Sequence, residues 1–123
     1  MGTITKNHLS QSSNGGPIAI SATSSPGTII HTTSITASII DEIWLYATNN
    51  DISIRTLTIE VGGTASNNKI TIGIPAQTGL SIILPGTIIS GNGSTSSIIR
   101  AFSSSSNVVN VLGYINRIEQ WVI

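Results

Sequence analysis

The side chains that could bind a metal in this chain of 123 residues are few and stand apart. Neither His8 nor His31 has a second histidine or a carboxylate at the spacing of metal ligands, and cysteine is absent. Protein zinc sites are built from groups of His, Cys, Asp and Glu. Asp51 stands beside two asparagines, but the alternating acidic residues of a calcium-binding loop are missing. The sequence therefore predicts no metal site and no cofactor.

Carboxylates and serines are also poorly placed for catalysis. Asp41 and Glu42 are adjacent, so on a strand their side chains point to opposite faces and cannot act on one substrate. We interpret them as the polar start of a strand that keeps a sheet edge soluble. Residues 103–106 are four serines without a Gly-x-Ser-x-Gly motif, which predicts a flexible hairpin loop. No enzymatic activity is expected.

Binding of phosphate, nucleic acid or membrane is not indicated either. The glycine-rich segments 62–64 and 91–93 lack the lysine and the following helix of a phosphate loop. The five basic side chains are scattered singly, whereas nucleic-acid-binding proteins cluster them. The apolar runs fall short of the roughly 20 residues of a membrane span, and no secretory signal is expected. We expect neither a nucleic acid nor a membrane as partner.

The surface is predicted to be polar but weakly charged. Charged residues make up 8% of the chain, against roughly a quarter in ordinary soluble domains, and Ser, Thr and Asn supply the remaining polarity. Five basic and five acidic side chains give zero formal net charge, so electrostatic repulsion between copies is small. We therefore expect a homo-oligomer, in the form of a trimer.

Residues 41–61 organise the predicted fold. Residues 43–48 alternate with the two-residue period of a strand, and both faces are apolar because Trp44 and Tyr46 lie opposite Ile43 and Leu45. A strand of this kind must be covered on both sides, as in a central sheet position or at a subunit interface.

The residues that follow predict a hairpin. Asn49-Asn50-Asp51 favours a chain reversal, because Asn and Asp tolerate turn conformations and bond their own backbone. The next strand should return over the first one, with Thr56, Thr58 and Glu60 facing water. The apolar positions change parity after Ile54, which predicts a bulge near Arg55.

Beyond Gly27 about eight strand segments follow at short, even spacing, and no window shows a helical period. The segments are residues 28–33, 42–48, 55–61, 69–74, 80–84, 88–89, 98–102 and 108–118. This spacing predicts an all-β fold, an antiparallel jelly-roll-like β-sandwich. A Greek-key sandwich of immunoglobulin type fits nearly as well, but the Cys and Trp pattern of that family is missing.

Residues 1–27 are predicted to form an extended N-terminal arm, apart from a β-sandwich domain of residues 28–123. The segment is rich in Ser, Thr, Asn and Gly and has two clusters of chain breakers, so it cannot build a core. The apolar residues with which the arm would bind a shell are Ile4, Leu9, Ile18 and Ile20. Such an arm would become ordered on contact with its partner. The alternative is a frayed terminus with one short strand at residues 18–22.

Aromatic residues are candidates for a subunit interface, because their rings combine large apolar area with polar groups. The candidates are Trp44, Tyr46, Tyr114 and Trp121. For Trp44 and Tyr46, core packing and a subunit contact remain equally open. Trp121 lies in the last three residues, where a neighbour would have to cover it.

Several runs of the chain carry a family resemblance. They are residues 41–47, 57–64, 74–80, the pair Pro85-Gly86, residues 99–102 and residues 110–118. In this order they resemble a family of small virion proteins of tailed bacteriophages. The resemblance covers residues 41–118 and leaves out the arm. It implies a β-sandwich structural protein without a catalytic motif, located on the outer capsid surface as a decoration or cement protein that contacts the major capsid protein.

Two other functions compete with this one. A tail-associated or fibre-tip receptor-binding domain would use the same sandwich and present loops 62–68 and 91–97 to a host glycan. The number of copies per particle separates it from a cement protein. A cupin-type enzyme would need clustered His and Glu ligands, which are missing.

Overall fold

The structure is a computed structural model that describes residues 2–119. The predicted interface residue Trp121 lies outside the described residues. Within them the chain forms nine β-strands and one short 3-10 turn. The strands are β1 Thr3–His8, β2 Ile18–Ala19, β3 Thr28–Thr32, β4 Ile39–Asn49, β5 Arg55–Val61, β6 Lys69–Ile74, β7 Ser81–Ile89, β8 Ile98–Ser103 and β9 Val109–Glu119, and the 3-10 turn is Ser66–Asn68. The predicted all-β class is confirmed.

The strands form two antiparallel sheets. The first sheet has the order β1-β9-β4-β7, with β2 also paired to β9, and the second has the order β3-β8-β5-β6. The predicted antiparallel sandwich is therefore confirmed. The pairings are nested along the chain, because β1 and β2 pair with β9, β3 with β8, β4 with β7 and β5 with β6.

The core lies between the sheets and is built by strand alternation. Ile43, Leu45 and Ala47 of β4 are fully buried, and Leu57 and Ile59 of β5 reach the same core from the second sheet. Every second residue of a strand faces the same side, so a two-residue apolar period is enough to line one inner face.

The predicted hairpin of β4 and β5 is wrong. The chain does reverse after Asn49, but β4 pairs with β9 and β7, whereas β5 pairs with β8 and β6. The segment between them therefore crosses from one sheet to the other. A turn signal is local and does not select the pairing partner, and β4 pairs with β9 over its whole length.

The predicted bulge near Arg55 is wrong, because β5 pairs with β6 from Arg55 to Glu60 without a register shift. The predicted exposure of β5 is confirmed for Thr56 but wrong for the two other residues. The register of β4 shifts against β7 between Ile43 and Trp44, and again before Tyr46. Thr58 and Glu60 are buried. They lie on the outer side of a strand in the middle of its sheet, and the segment before β3 covers Glu60 there.

The first 27 residues are not a separate arm. β1 and β2 pair with β9, and the side chains of Leu9 and Ile20 are 1% and 0% exposed within the core. The assignment of these two residues to shell binding is therefore corrected. Two apolar side chains inserted between the sheets, together with main-chain pairing, fix a segment whose own composition is too polar to fold alone.

β7 is one strand rather than the two predicted segments, and it continues through Pro85 and Gly86. It forms an edge of the first sheet, where a proline without an N–H donor is tolerated. None of the described residues belongs to a helix long and apolar enough to cross a membrane.

Candidate interaction surface

The side of the first sheet that faces away from the core is largely apolar, with a few polar and charged side chains among the apolar ones. Its residues pair across β4 and β9 as Ile40 with Ile118, Glu42 with Asn116, Trp44 with Tyr114 and Tyr46 with Leu112. β1 adds Ile4, Lys6 and His8 beside β9, and β7 adds Ile82 and Ile88 beside β4. We call these thirteen residues the outer face. Residues directly opposite in an antiparallel pair have side chains on the same side of the sheet.

Two stacked rings stand at the centre of the outer face. The ring centroids of Trp44 and Tyr114 are 6.2 Å apart, with an angle of 10° between the ring planes. The Lys6 ammonium lies 4.9 Å from the centroid of the Tyr114 ring and comes from the strand on the other side of β9. Offset stacking and a cation over a ring are both attractive, so the rings are held in one arrangement.

Gly86 makes room for the Trp44 ring. Its φ of +88° is one that side-chain-bearing residues rarely adopt, and a Cβ at this position would stand 3.1 Å from the indole. The indole therefore lies close to the backbone of the edge strand. This contact fixes the position of the ring from the side opposite Tyr114.

Glu42 places a fixed negative charge on the same face. Its Oε1 accepts hydrogen bonds from Trp44 Nε1 at 2.7 Å and from Asn116 Nδ2 at 2.9 Å. These two hydrogen bonds hold the pKa of Glu42 below its usual value. The carboxylate is therefore ionised at neutral pH, and it orients the Trp44 indole.

The apolar residues of the outer face are more exposed than is usual for the solvent side of an antiparallel sheet. Ile4, Ile82 and Ile88 are 72%, 63% and 57% exposed. The solvent side of such sheets is ordinarily polar, and contiguous apolar patches mark contact sites. The arrangement can bury area against a partner, but it places no nucleophile beside a general base.

A second polar cluster joins the two sheets inside the molecule. Asp41 Oδ2 accepts a hydrogen bond from His31 Nε2 at 2.7 Å, and Arg117 donates from Nε to Oδ1 at 2.9 Å and from Nη2 to Oδ2 at 3.1 Å. The Ser10 N–H donates to His31 Nδ1 at 3.0 Å, so the ring hydrogen is on Nε2. The cluster ties β3 to β4 and β9.

The environment of Asp41 keeps it ionised. Burial raises the pKa of this carboxyl, but the hydrogen bonds from His31 and Arg117, together with the charge of Arg117, bring it below its usual value. The carboxylate raises the pKa of Arg117 in return. Asp41 and His31 are buried, and each of their polar atoms is engaged, which is the arrangement of a structural brace.

Sequence reasoning missed this cluster. It took His31 as a histidine without a carboxylate, and it placed Asp41 at a soluble edge, which is wrong because Asp41 is fully buried. A signal was present, since Asp41 has the same strand parity as Ile43 and Leu45 and must therefore face the core. His31 and Arg117 come from distant segments, and no local pattern brings them together.

Glu60 is a second buried carboxylate with a structural role. The Ser25 hydroxyl donates to Oε2 at 2.6 Å and the Gly27 N–H to Oε1 at 2.8 Å, while Lys69 Nζ lies 3.5 Å from Oε2. Burial raises the pKa of Glu60, but these hydrogen bonds and the Lys69 charge lower it below its usual value. The hydrogen bonds from Ser25 and Gly27 attach the segment before β3 to the outer side of β5.

The loop between β4 and β5 is held by hydrogen bonds at its base and has an apolar tip. Asn49 Nδ2 donates to the carbonyls of Ser53 at 2.8 Å and Ile74 at 2.9 Å, and its Oδ1 accepts from the Asp51 N–H at 2.9 Å. The loop nevertheless leaves Ile52 85% exposed and Ile54 66% exposed. It is a second place where a partner could bury apolar area.

The predicted site residues within the described part of the chain fall into two groups. Trp44, Tyr46 and Tyr114 share the outer face, and Ile4, which was assigned to the arm, lies on the same face. Leu9 and Ile20 belong to the core, and Ile18 packs against it. Among residues 2–119, no three His, Cys, Asp or Glu side chains are grouped as metal ligands would be.

Comparisons with known proteins identify no relative. No protein family matches the chain, and neither a curated protein nor a solved structure is significantly similar to it. The resemblance to phage virion proteins therefore stays a prediction.

Proposed function

We propose that this protein is a structural virion protein of a tailed phage, located on the outer capsid surface, where it stabilises the assembled shell as a cement protein. The observation that carries the contact role is the outer face, which combines exposed isoleucines with ordered aromatic rings. The phage setting comes from the sequence resemblance. Asp41, which pairs with His31, and Glu60, which pairs with Lys69, are buried and bonded within the fold. This is in keeping with a role without catalysis.

We also infer that the sandwich is a jelly roll. A jelly roll consists of nested antiparallel pairs, folded so that successive pairs lie in alternate sheets, and the observed strand orders support this inference. Viral capsid proteins, lectins and cupins share the architecture, so the fold supports a virion role without selecting it.

The proposed partners are further copies of the chain and the major capsid protein. Copies would meet through the outer face, and the expectation of a trimer stays a prediction. Since Leu9 and Ile20 are buried, the shell would be contacted by exposed apolar groups elsewhere, and the β4–β5 loop offers Ile52 and Ile54 on a hydrogen-bonded base. A cement protein binds only the assembled lattice, so it stabilises the shell by mass action and gains from many weak contacts.

The test is to strip the protein from particles, add it back and measure the temperature at which the DNA is released. Restored particles should release DNA at a higher temperature than stripped ones. Ile52→Ser should weaken attachment by about tenfold or more, because burying an isoleucine contributes roughly 1.5–3 kcal/mol. Ile70→Ser, on the exposed part of β6, is the matched control and should attach normally.

A receptor-binding domain of the tail is the second candidate. Loops 62–68 and 91–97 are largely exposed, and they lie side by side because Val61 is paired with Ile99 and the Gly62 N–H bonds to the Ile98 carbonyl. Adjacent polar loops at one end of a sandwich suit recognition of a glycan. Stripped particles that keep their thermal stability but lose adsorption to host cells would favour this function over the cement role.

A further inference from the structure

Opposite charges flank the central strand of the outer face. Lys6 of β1 and Glu42 of β4 are both paired with Asn116 of β9, on its two sides. Neighbouring strands are about 4.8 Å apart, so the two charged residues are separated by roughly 10 Å across the sheet. The row formed by Lys6, Asn116 and Glu42 is therefore asymmetric about β9, with the positive group on one side and the negative group on the other.

We propose that the outer face packs against the same face of a second copy, around a two-fold axis parallel to β9. This axis exchanges the two sides of β9, so Lys6 of each copy comes opposite Glu42 of the other. An axis along the row, perpendicular to the strands, would place Lys6 opposite Lys6 and Glu42 opposite Glu42. Like charges in contact oppose association, so of the two axes that pass over Asn116, charge complementarity favours the one parallel to the strand.

The same axis also matches apolar residues. Ile4 and Ile40 lie on the two sides of Ile118, so Ile4 meets Ile40 of the second copy and Ile118 meets its own counterpart. Tyr114, which lies on β9 itself, also meets its counterpart. An aromatic and aliphatic centre crossed by a few paired polar groups is the usual composition of a specific interface.

The overlap of the two copies is modest in area. With the axis over β9, strands β1, β9 and β4 of one copy lie opposite β4, β9 and β1 of the other, and β7 extends beyond the overlap. Three strands and four rows of outward side chains cover roughly 400 Å² in projection, and the relief of the side chains adds to this value. A specific interface buries about 800 Å² on each partner, so we expect a weak dimer with a dissociation constant in the micromolar range.

A two-fold contact uses the same patch on both copies and closes with two of them. It predicts a dimer in place of the trimer suggested by composition. The inference rests on the part of the proposed function that makes the outer face a contact between copies. It is tested on the purified protein without shells, so the dimer and the cement role can fail independently.

Thiol cross-linking tests the geometry, because the chain has no cysteine of its own. The cross-linker is a bis-maleimide that spans the roughly 10 Å between packed sheets. Asn116→Cys lies on the axis and should give cross-linked dimers with itself. Lys6→Cys and Glu42→Cys should each stay uncross-linked alone, since each residue is about 14 Å from its own counterpart and beyond the reach of the cross-linker, and should cross-link when mixed. Thr71→Cys, exposed on the second sheet, is the control and should not react across copies.

A charge exchange tests the pairing by sedimentation. Lys6→Glu should weaken the dimer by about tenfold, and the exchange Lys6→Glu with Glu42→Lys should restore it, with circular dichroism confirming that each variant is folded. Cross-linking of Lys6→Cys with itself, a trimer of the unaltered protein, or a monomer at high micromolar concentration would each overturn the proposal.

Discussion

A single carboxylate at Asp41 holds three segments of the chain together. It receives hydrogen bonds from His31 of β3 and Arg117 of β9 while lying on β4 itself. Charged groups inside a protein cost free energy unless they are paired, so the contribution of each member depends on the others. The two buried carboxylates, Asp41 and Glu60, therefore govern the response of the fold to substitution and to acid.

Asp41→Asn should lower the free energy of unfolding by about 3 kcal/mol, because it removes the counter-charge of Arg117 and replaces one of the two acceptor oxygens shared by His31 and Arg117 with an NH2 donor. Urea denaturation followed by tryptophan fluorescence measures the loss. Asp51→Asn is the matched control, because the Asp51–Arg55 ion pair is partly exposed, and its effect should be clearly smaller. Equal effects of the two substitutions would contradict the brace.

Stability should fall in acid. The pKa values of Asp41 and Glu60 are lowered in the folded chain, so the unfolded chain binds more protons as the pH falls below the usual values of about 3.9 and 4.3. The stabilisation is complete above those values and is lost as the pH drops through the lowered ones. The free energy of unfolding, measured from pH 6 to pH 2.5, should decline less steeply in Glu60→Gln than in the unaltered protein. Parallel curves would refute this assignment.

At the scale of elements, β1 is attached to the sandwich less by its own side chains than by the buried side chain of the residue that follows it. β1 is exposed along nearly its whole length, but Leu9 directly after it is buried between the sheets. The segment is thus held by main-chain pairing to β9 and by an apolar anchor at its end.

Leu9→Ala should destabilise the fold by about 2–5 kcal/mol, since a buried leucine leaves a cavity when truncated. Ile4→Ala on the adjacent strand should change stability by less than about 0.5 kcal/mol, because exposed positions contribute little. Denaturant unfolding compares the two variants. An extended arm would give two small and similar effects, and that result would restore the separate-arm interpretation.

The sequence was sufficient to locate most strands, because β-branched runs and turn residues are local signals. β5 and β6 were predicted with their observed bounds, whereas β1 was missed because its polar residues show no strand pattern. The pairing of strands could not be predicted. β4 pairs with β9, which lies about 70 residues further along the chain, and no local sequence signal specifies such a distant partner. The outer face was found only in part. Trp44 and Tyr46 indicated it, but Ile82 and Ile88 required knowledge of the neighbouring strand.

The whole molecule presents apolar and hydrogen-bonding groups with few charges. It has five basic and five acidic side chains, and several of them are already paired within the chain. Any surface it buries is therefore held mainly by apolar contact, which salt does not screen.

Attachment to shells should accordingly survive high salt. Raising the salt from 0.1 M to 1 M shortens the distance over which charges interact from about 10 Å to about 3 Å. The amount of protein bound to purified shells, measured by co-sedimentation, should change by less than about twofold. Release of most of the protein at 1 M salt would mean that ionic contacts hold it.

The nested pairing also bears on how the chain folds during synthesis. β9 lies between β4 on one side and β1 and β2 on the other. Until β9 emerges from the ribosome, β1 and β2 therefore cannot join the first sheet. At about 5–20 residues per second, β1 waits several seconds for its partner. Folds dominated by such distant pairings fold in milliseconds to seconds. Until then the exposed isoleucines of β4 and β7 depend on chaperones or on dilution to escape aggregation.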